Sequence, residues 1–267
     1  MRLSHIPIFL GVYLAACTQA SDFPNMQEGE TARVVRIIDG DSFVLDGGQT
    51  VRLVGIEAPR LGRRGDADQA FAEESARMLE SLVLGRMVQL YYPGPTRDRF
   101  DRALAHVMTR DQTGPKVWAN LAMVDRGGAW VRLYPDTAAQ VDLLLDAEQS
   151  ARAAGQGLWS VAGYAPIDVQ TLEDGEAARF RLIHAILGEV TQSTRIDNQR
   201  PLACARQLQG SPIQLQIRVG AETVCNLPEG TEVELRAFAP GNVLAITHPQ
   251  HVLVLDVPTQ DQVAERD

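Results

Sequence analysis

Ala32-Arg-Val-Val-Arg-Ile-Ile-Asp39-Gly40-Asp41-Ser42-Phe-Val-Leu45, followed by Thr50-Val-Arg52-Leu-Val-Gly-Ile56-Glu57-Ala-Pro59, is the stretch from which the fold of this chain is read. Ala32 to Ile38 is largely β-branched and ends at Asp39-Gly40. Ser42 to Leu45 resumes the strand, and Asp46-Gly47-Gly48 is a tight-turn signal before Thr50 to Ile56. These features predict a β-meander. If that turn closes a hairpin, Asp41 and Arg52 lie at similar distances from it and become near neighbours on facing strands. Glu57 falls at the strand end, where Pro59 stops the ladder. Two carboxylates from separate strands suit a hard cation with positions left open for water and phosphate. An arginine fork suits the charge that builds on phosphate oxygens. The spacing therefore suits phosphoryl chemistry.

Working outward, Asp68 to Leu84 has apolar residues at Ala72, Ala76, Leu79 and Val83 with acids between them, and Gly85 follows. This predicts an amphipathic helix. Met87 to Tyr92 reads as the next strand, and Trp118 to Asp125 and Thr137 to Ala154 as two further helices. Strands, helix, strands and helices in that order fit a small Greek-key barrel of the oligonucleotide-binding kind with packed helices. Beyond a linker at residues 163–176, Arg179 to Thr191, Pro201 to Gln207, Ile213 to Val219, Glu232 to Phe238 and Val243 to Val257 alternate apolar and polar residues between turn signals. The expectation is an α+β chain: a five-stranded barrel with helices, then a small all-β domain that carries no recognisable motif and could be a second barrel. His248 and His251 could suggest a metal pair. Solvated histidines at a strand edge are the plainer reading, since no third ligand is in view.

The first segments resemble the staphylococcal nuclease (thermonuclease-like) family. Asp39-Gly40-Asp41-Ser42 is similar to its Asp-Gly-Asp-Thr motif, Val51-Arg-Leu-Val-Gly-Ile-Glu-Ala-Pro59 to its Val-Arg-Leu-x-Gly-Ile-Asp-Ala-Pro run, and Asp98-Arg-Phe-Asp-Arg102 to its Asp-Arg-Tyr-Gly-Arg segment. Asn120, Met123, Val124, Gly127, Ala129 and Gly157-Leu158-Trp159 fit its later pattern. The resemblance implies calcium held by Asp41 and Glu57, catalytic arginines at Arg52 and Arg102, substrate binding by Arg99, and hydrolysis of DNA or RNA phosphodiesters. Three departures stand out. Glu57 replaces the second metal-binding aspartate. Asp101 replaces a glycine, which offers Arg102 or Arg99 a competing partner. Arg60 replaces the glutamate that activates water, which substitutes a permanent cation for a proton acceptor. Glu57 itself, Asp66, Glu73 and Glu74 are conceivable substitutes. The expectation is therefore a weakened calcium-dependent nuclease. Its alternative is an inactive barrel that binds nucleic acid or an envelope protein.

Residues 1–17 carry Arg2, an apolar stretch from Ile6 to Leu14 and Leu14-Ala-Ala-Cys17, a secretory signal that resembles the lipoprotein type. Cys17 would then be the lipid attachment point, tethering a soluble domain to the bacterial envelope, with the outer membrane facing the periplasm as the expected place. The alternative is an ordinary cleaved signal. Residues 18–30 read as a polar linker, 31–162 as the nuclease-like domain, 177–257 as the all-β domain and 258–267 as a polar tail. Cys204 and Cys225 remain, and in an oxidising compartment one disulfide is the natural proposal. Two buried thiols or a metal site are its alternatives, the latter disfavoured by the lack of a Cys-x-x-Cys spacing.

At 267 residues, with 45% apolar content, the chain has room for two small domains. Its formal net charge of −9 is unhelpful for a polyanion binder. The charge is uneven, however. Arg52, Arg60, Arg63, Arg64, Arg97, Arg99, Arg102 and Arg110 gather in or near the site segments, and a local basic patch can bind what the average charge repels.

Overall fold

The computed structural model describes residues 21–62, 65–110, 114–172, 180–195, 201–238 and 242–257. Cys17 with the rest of the signal, Arg63, Arg64 and the tail from 258 lie outside them. Strands β1 (Gln27–Asp39), β2 (Ser42–Leu45), β3 (Thr50–Leu53), β5 (Met87–Tyr92) and β6 (Ala103–Thr109) close a barrel in the order β1-β2-β3-β6-β5. Two short strands, β4 (Ile56–Glu57) and β7 (Trp130–Val131), pair beside it. Closure depends on β1, which pairs with β2 along one half and with β5 along the other, with register shifts at Val34/Arg36 and Ile37/Asp39 where it bends. Inward residues alternate along the strands: Val51 and Leu53 on β3, Val88 and Leu90 on β5, and Ala103, Ala105 and Val107 on β6 are all fully buried.

Helices α1 (Ala72–Val83), α2 (Ala119–Asp125) and α3 (Val141–Ala153) press Leu79, Leu82, Val83, Met123, Val124 and Leu144 into the same core. Each such side chain contributes about 1.5–3 kcal/mol. Asn120 locks α2 to the barrel. Its carbonyl oxygen accepts from Val107 N–H at 3.0 Å and its amide donates to Val54 O at 2.8 Å. Gly127 and Gly157 both have positive φ and approach so closely that a Cβ on Gly127 would lie 2.2 Å from Gln156 O.

Two expectations about the barrel's start change. Residues 21–30 are not a bare linker. Phe23 and Met26 are buried with Tyr91, and β1 begins at Gln27 opposite Tyr92, because an apolar Phe-Pro-Asn-Met turn lets the chain cover the open end of β5. Asp22 pairs with Lys116 and, at 3.3 Å, with Arg110. Helix α1 also starts at Ala72 rather than Asp68, after Phe71 in the left-handed region.

The second region is all-β, built around the 16-residue β9 (Phe180–Arg195). With β10 (Leu202–Leu208), β11 (Ser211–Arg218), β12 (Glu232–Phe238), β13 (Val243–Ile246) and β14 (Val252–Asp256) it forms an open sheet in the order β13-β11-β10-β9-β12-β14, and the short β8 (Ile167–Asp168) pairs with β9. It is not a second closed barrel: β13 and β14 are its edges. A run expected to be continuous from Val243 to Val257 is broken by the turn at Pro249–His251. Cys204 and Cys225 are joined in a disulfide across 21 residues, tying β10 to the turn at Glu222–Asn226. Reduction, or the Cys204→Ser/Cys225→Ser pair, is expected to lower stability by about 3 kcal/mol on loop-closure arithmetic, read as a shift in urea midpoint. Arg206 holds the same turn. Buried, it donates to Gly188 O at 2.8 Å and Leu227 O at 2.6 Å.

The two regions meet along a charged seam. Arg236 on β12 pairs with Glu148 on α3 and donates to Val131 O at 3.2 Å, while Glu148 accepts from Val131 N–H at 2.6 Å. Glu234 receives Arg152 through two bonds of 2.8 and 2.7 Å. His251, expected as a solvated edge residue or half of a metal pair, is neither. It is buried with Nε2 3.2 Å from Leu133 O, because the Pro249 turn folds it against the barrel side. No cluster of three metal-binding side chains occurs among the described residues. Nor is any helix among them long and apolar enough to cross a membrane.

Burial lowers His106, packed against Phe23 and Trp118, from the ordinary 6.5 to about 4. Because the folded state resists protonation, its contribution is complete above pH 6.5 and is lost as pH falls towards 4. Wild-type protein is therefore expected to lose about 3 kcal/mol more than His106→Leu between pH 7 and pH 4. Urea titrations at both pH values measure the difference, and parallel losses in the two proteins would refute it.

Candidate active site

The hairpin between β2 and β3 sets Ser42 opposite Arg52, so Asp41, one residue earlier, falls beside the arginine. Arg52 Nη1 is ion-paired with Asp41 Oδ2. Its Nη2 reaches Glu57 Oε2 at 2.7 Å and donates to Ile56 O at 3.1 Å. One guanidinium thus bridges two acids, each only 5% exposed. Asp41 is further fixed by Ala58 N–H at 2.8 Å on Oδ2 and by the Ser42 hydroxyl at 2.7 Å on Oδ1. Gly40 is required just before it, since a Cβ there would lie 1.8 Å from Ser75 Oγ on α1.

The acids differ electrostatically. Burial works to raise Asp41, but the Arg52 charge and the Ala58 and Ser42 hydrogen bonds outweigh it and hold the carboxyl below its ordinary value. Asp39 moves the other way, lifted to about 7 by burial and then by the charge of Asp41. Arg52 is raised despite burial because Asp41 and Glu57 flank it.

Glu57 gathers three arginines. Besides Arg52, Arg132 Nη1 lies 2.7 Å from Oε2 and Arg60 Nη2 lies 2.9 Å from Oε1. Arg60, at the position where the resemblance implies a water-activating glutamate, is two-thirds exposed and folds back onto Glu57. Among the other acids named from the sequence, Glu73 and Glu74 pair with Arg77 on the outer face of α1, and Asp66 is exposed. Arg132 was invisible in the sequence reading. The only signal was its place one residue after β7, whose pairing with β4 brings it to Glu57.

Arg102 does not join the cluster by contact. In the parallel β3–β6 pair Arg52 lies opposite Leu104, so Arg102, two residues earlier, shares the outer face of the barrel with Arg52. Its guanidinium is instead held by Asp98, with Nε 2.8 Å and Nη2 2.7 Å from Oδ2. Asp98 also accepts from the Phe100 and Arg102 N–H groups, closing a tight loop. Asp101, at the position where the resemblance implies glycine, adopts φ 61° in that loop, the region glycine fills without strain. Its carboxylate lies 4.0 Å from Arg97 rather than pairing with Arg102 or Arg99. Arg99 stacks over Phe100, 4.7 Å from its centroid.

A closed five-stranded barrel with helices, bearing on its outer face two buried acids bridged by an arginine, defines the class: an oligonucleotide-binding type barrel built around an acid and arginine site. Residues 50–161 match the family model described as staphylococcal nuclease homologue, and the chain contains a staphylococcal nuclease-like domain. It is 26% identical over 134 residues to a thermonuclease of Staphylococcus intermedius, covering 49% of this chain and 77% of that protein. Against a thermonuclease of Staphylococcus hyicus the identity is 24%, over 49% and 76% of the two chains. A 60-residue stretch is 43% identical to "Probable endonuclease lcl3" of Neosartorya fischeri, covering 22% of this chain and 20% of that one.

Proposed function

We propose that this protein is a calcium-dependent nuclease that hydrolyses phosphodiester bonds of DNA or RNA, slowed by the arginine at the general-base position. The buried Asp41–Arg52–Glu57 bridge carries the reading, since it holds a phosphate-binding fork beside two acids in fixed geometry. The donor set fits a hard cation. It is all carboxylate oxygen, from two acids that one guanidinium brings together. Asp41 and Glu57 would hold calcium, which when bound supplies charge neutralisation at the phosphate and acidifies water. Arg52 orients the phosphate and stabilises the charge that grows on its oxygens. Arg102, on the same face, binds the neighbouring phosphate oxygen once it leaves Asp98. Nearby Arg99 extends the cationic track along the strand. Burial of the acids excludes bulk water from the bridge and strengthens each of these interactions.

A second reading has its own observation: with Arg52, Arg60 and Arg132 all on Glu57, the acid is neutralised internally, as in a barrel that binds nucleic acid, or an envelope protein, without cutting. A quenched-fluorophore oligonucleotide, assayed with calcium and then with chelator, separates the two. Cleavage that persists in chelator would remove calcium from the mechanism. In the same assay, Arg60→Glu restores a proton acceptor and is expected to raise kcat by about 10²-fold or more. No gain would mean that the base is not what limits the site. The lipobox at Cys17 and the disulfide further support export and lipid anchoring at the envelope. Palmitate labelling of Cys17 in cells, lost in Cys17→Ser, tests this.

A further inference from the structure

Three aromatic side chains outside both hydrophobic cores lie on the Arg132 side of the site, two of them directly against its guanidinium. The Arg132 guanidinium, 2.7 Å from Glu57, lies 5.3 Å from the Tyr134 ring centroid and 5.4 Å from that of Phe180. Tyr134 belongs to the nuclease-like domain, but Phe180 opens β9 of the second sheet. Across the β9–β12 ladder Phe180 is directly paired with Phe238, so the two rings share one face. Neither phenylalanine belongs to the core of its own region, and Tyr134 and Phe238 are 51% and 46% exposed. The charged seam between Arg236, Glu148 and Val131 fixes β12 against β7, so the position of these rings relative to Glu57 is set by the fold.

The geometry points to a base-stacking wall contributed by the second sheet, in which Phe180 and Phe238 extend the phosphodiester site and select unpaired strands. The occupant is argued from charge and shape together. Arg132 lies against the Tyr134 and Phe180 rings and meets Arg52 and Arg60 at Glu57, a grouping of guanidinium groups that suits a polyanion, while the exposed Tyr134 and Phe238 rings suit flat apolar groups. Single-stranded nucleic acid presents both, and a duplex keeps its base faces stacked inside. The Arg132 guanidinium, already between two rings, marks the step from phosphate to base along such a strand. This inference rests on the nuclease reading and names its substrate class.

The test is fluorescence anisotropy of the full chain with a labelled single-stranded octathymidylate in chelator, with strand integrity checked afterwards. Each of Phe180→Leu and Phe238→Leu keeps apolar bulk and removes the aromatic face. Each is expected to weaken binding about 5- to 150-fold, with Phe180→Trp retaining affinity. An abasic strand of equal length is expected to bind weakly and identically to all variants. Wild-type affinity in both leucine variants, or equal losses for the abasic strand, would overturn the wall while leaving the nuclease reading in place. A wild-type protein that neither binds nor cuts any strand would overturn both.

Discussion

Arg52→Lys is expected to lower kcat/KM on a single-stranded oligonucleotide by about 10³-fold, and Arg52→Met to cost about 3–5 kcal/mol of stability as well. Lysine keeps one charge but loses the fork that spans Asp41 and Glu57, so the two acids are no longer held by the same group. In Arg52→Met both remain buried with less neutralisation, and Asp41 keeps its hydrogen bonds with Ala58, Ser42 and Asp39 but no cation. Steady-state kinetics on the lysine variant and urea denaturation of the methionine variant give the two numbers. A methionine variant as stable as wild type would show that Arg60 and Arg132 can substitute for the bridge. A lysine variant with unchanged kcat/KM would remove Arg52 from the chemistry.

The second large effect lies far from the phosphate. Arg236→Met removes the cation paired with Glu148, leaving an acid of 1% side-chain exposure with the Val131 N–H bond and the more distant charge of Arg152. Breaking one side of such a pair is expected to cost about 3–5 kcal/mol, whereas replacing both partners by apolar residues, Arg236→Met with Glu148→Leu, is expected to recover much of the loss. Unfolding followed by far-ultraviolet circular dichroism and by the near-ultraviolet signal of the barrel tryptophans reports whether the two regions still melt together. A single transition in wild type that splits in Arg236→Met is the expected result. An unchanged midpoint would show that the seam carries no stability.

Most of the barrel was legible because its signals are local. The alternation through β2, β3 and β5, the Asp46-Gly47-Gly48 turn and the helical period of α1 need no distant partner to be read, and β5 and β12 fall at Met87–Tyr92 and Glu232–Phe238 as expected. Residues 21–30 were misread because a polar composition hid two apolar anchors, Phe23 and Met26, whose partner Tyr91 is some seventy positions away in the chain. At the site, the proximity of Asp41 and Arg52 followed from hairpin arithmetic. The involvement of Arg132 did not, because it depends on a two-strand pairing between segments that lie more than half the domain apart in the chain. Arg102 shows the converse limit: register places a residue on a face, but the choice of partner, here Asp98, is made by side-chain torsions that no spacing encodes. The role of His251 was hidden for the same reason as that of Arg132, since its acceptor belongs to the other region.

The match to the nuclease homologues ends at residue 161, yet Glu148 and Arg152, inside it, are neutralised by Arg236 and Glu234, outside it. Recombination at that border would hand on a barrel stripped of its counter-charges, so the ancestral module and its companion sheet are expected to travel through evolution as one heritable piece, with compensating changes on the two sides of the border.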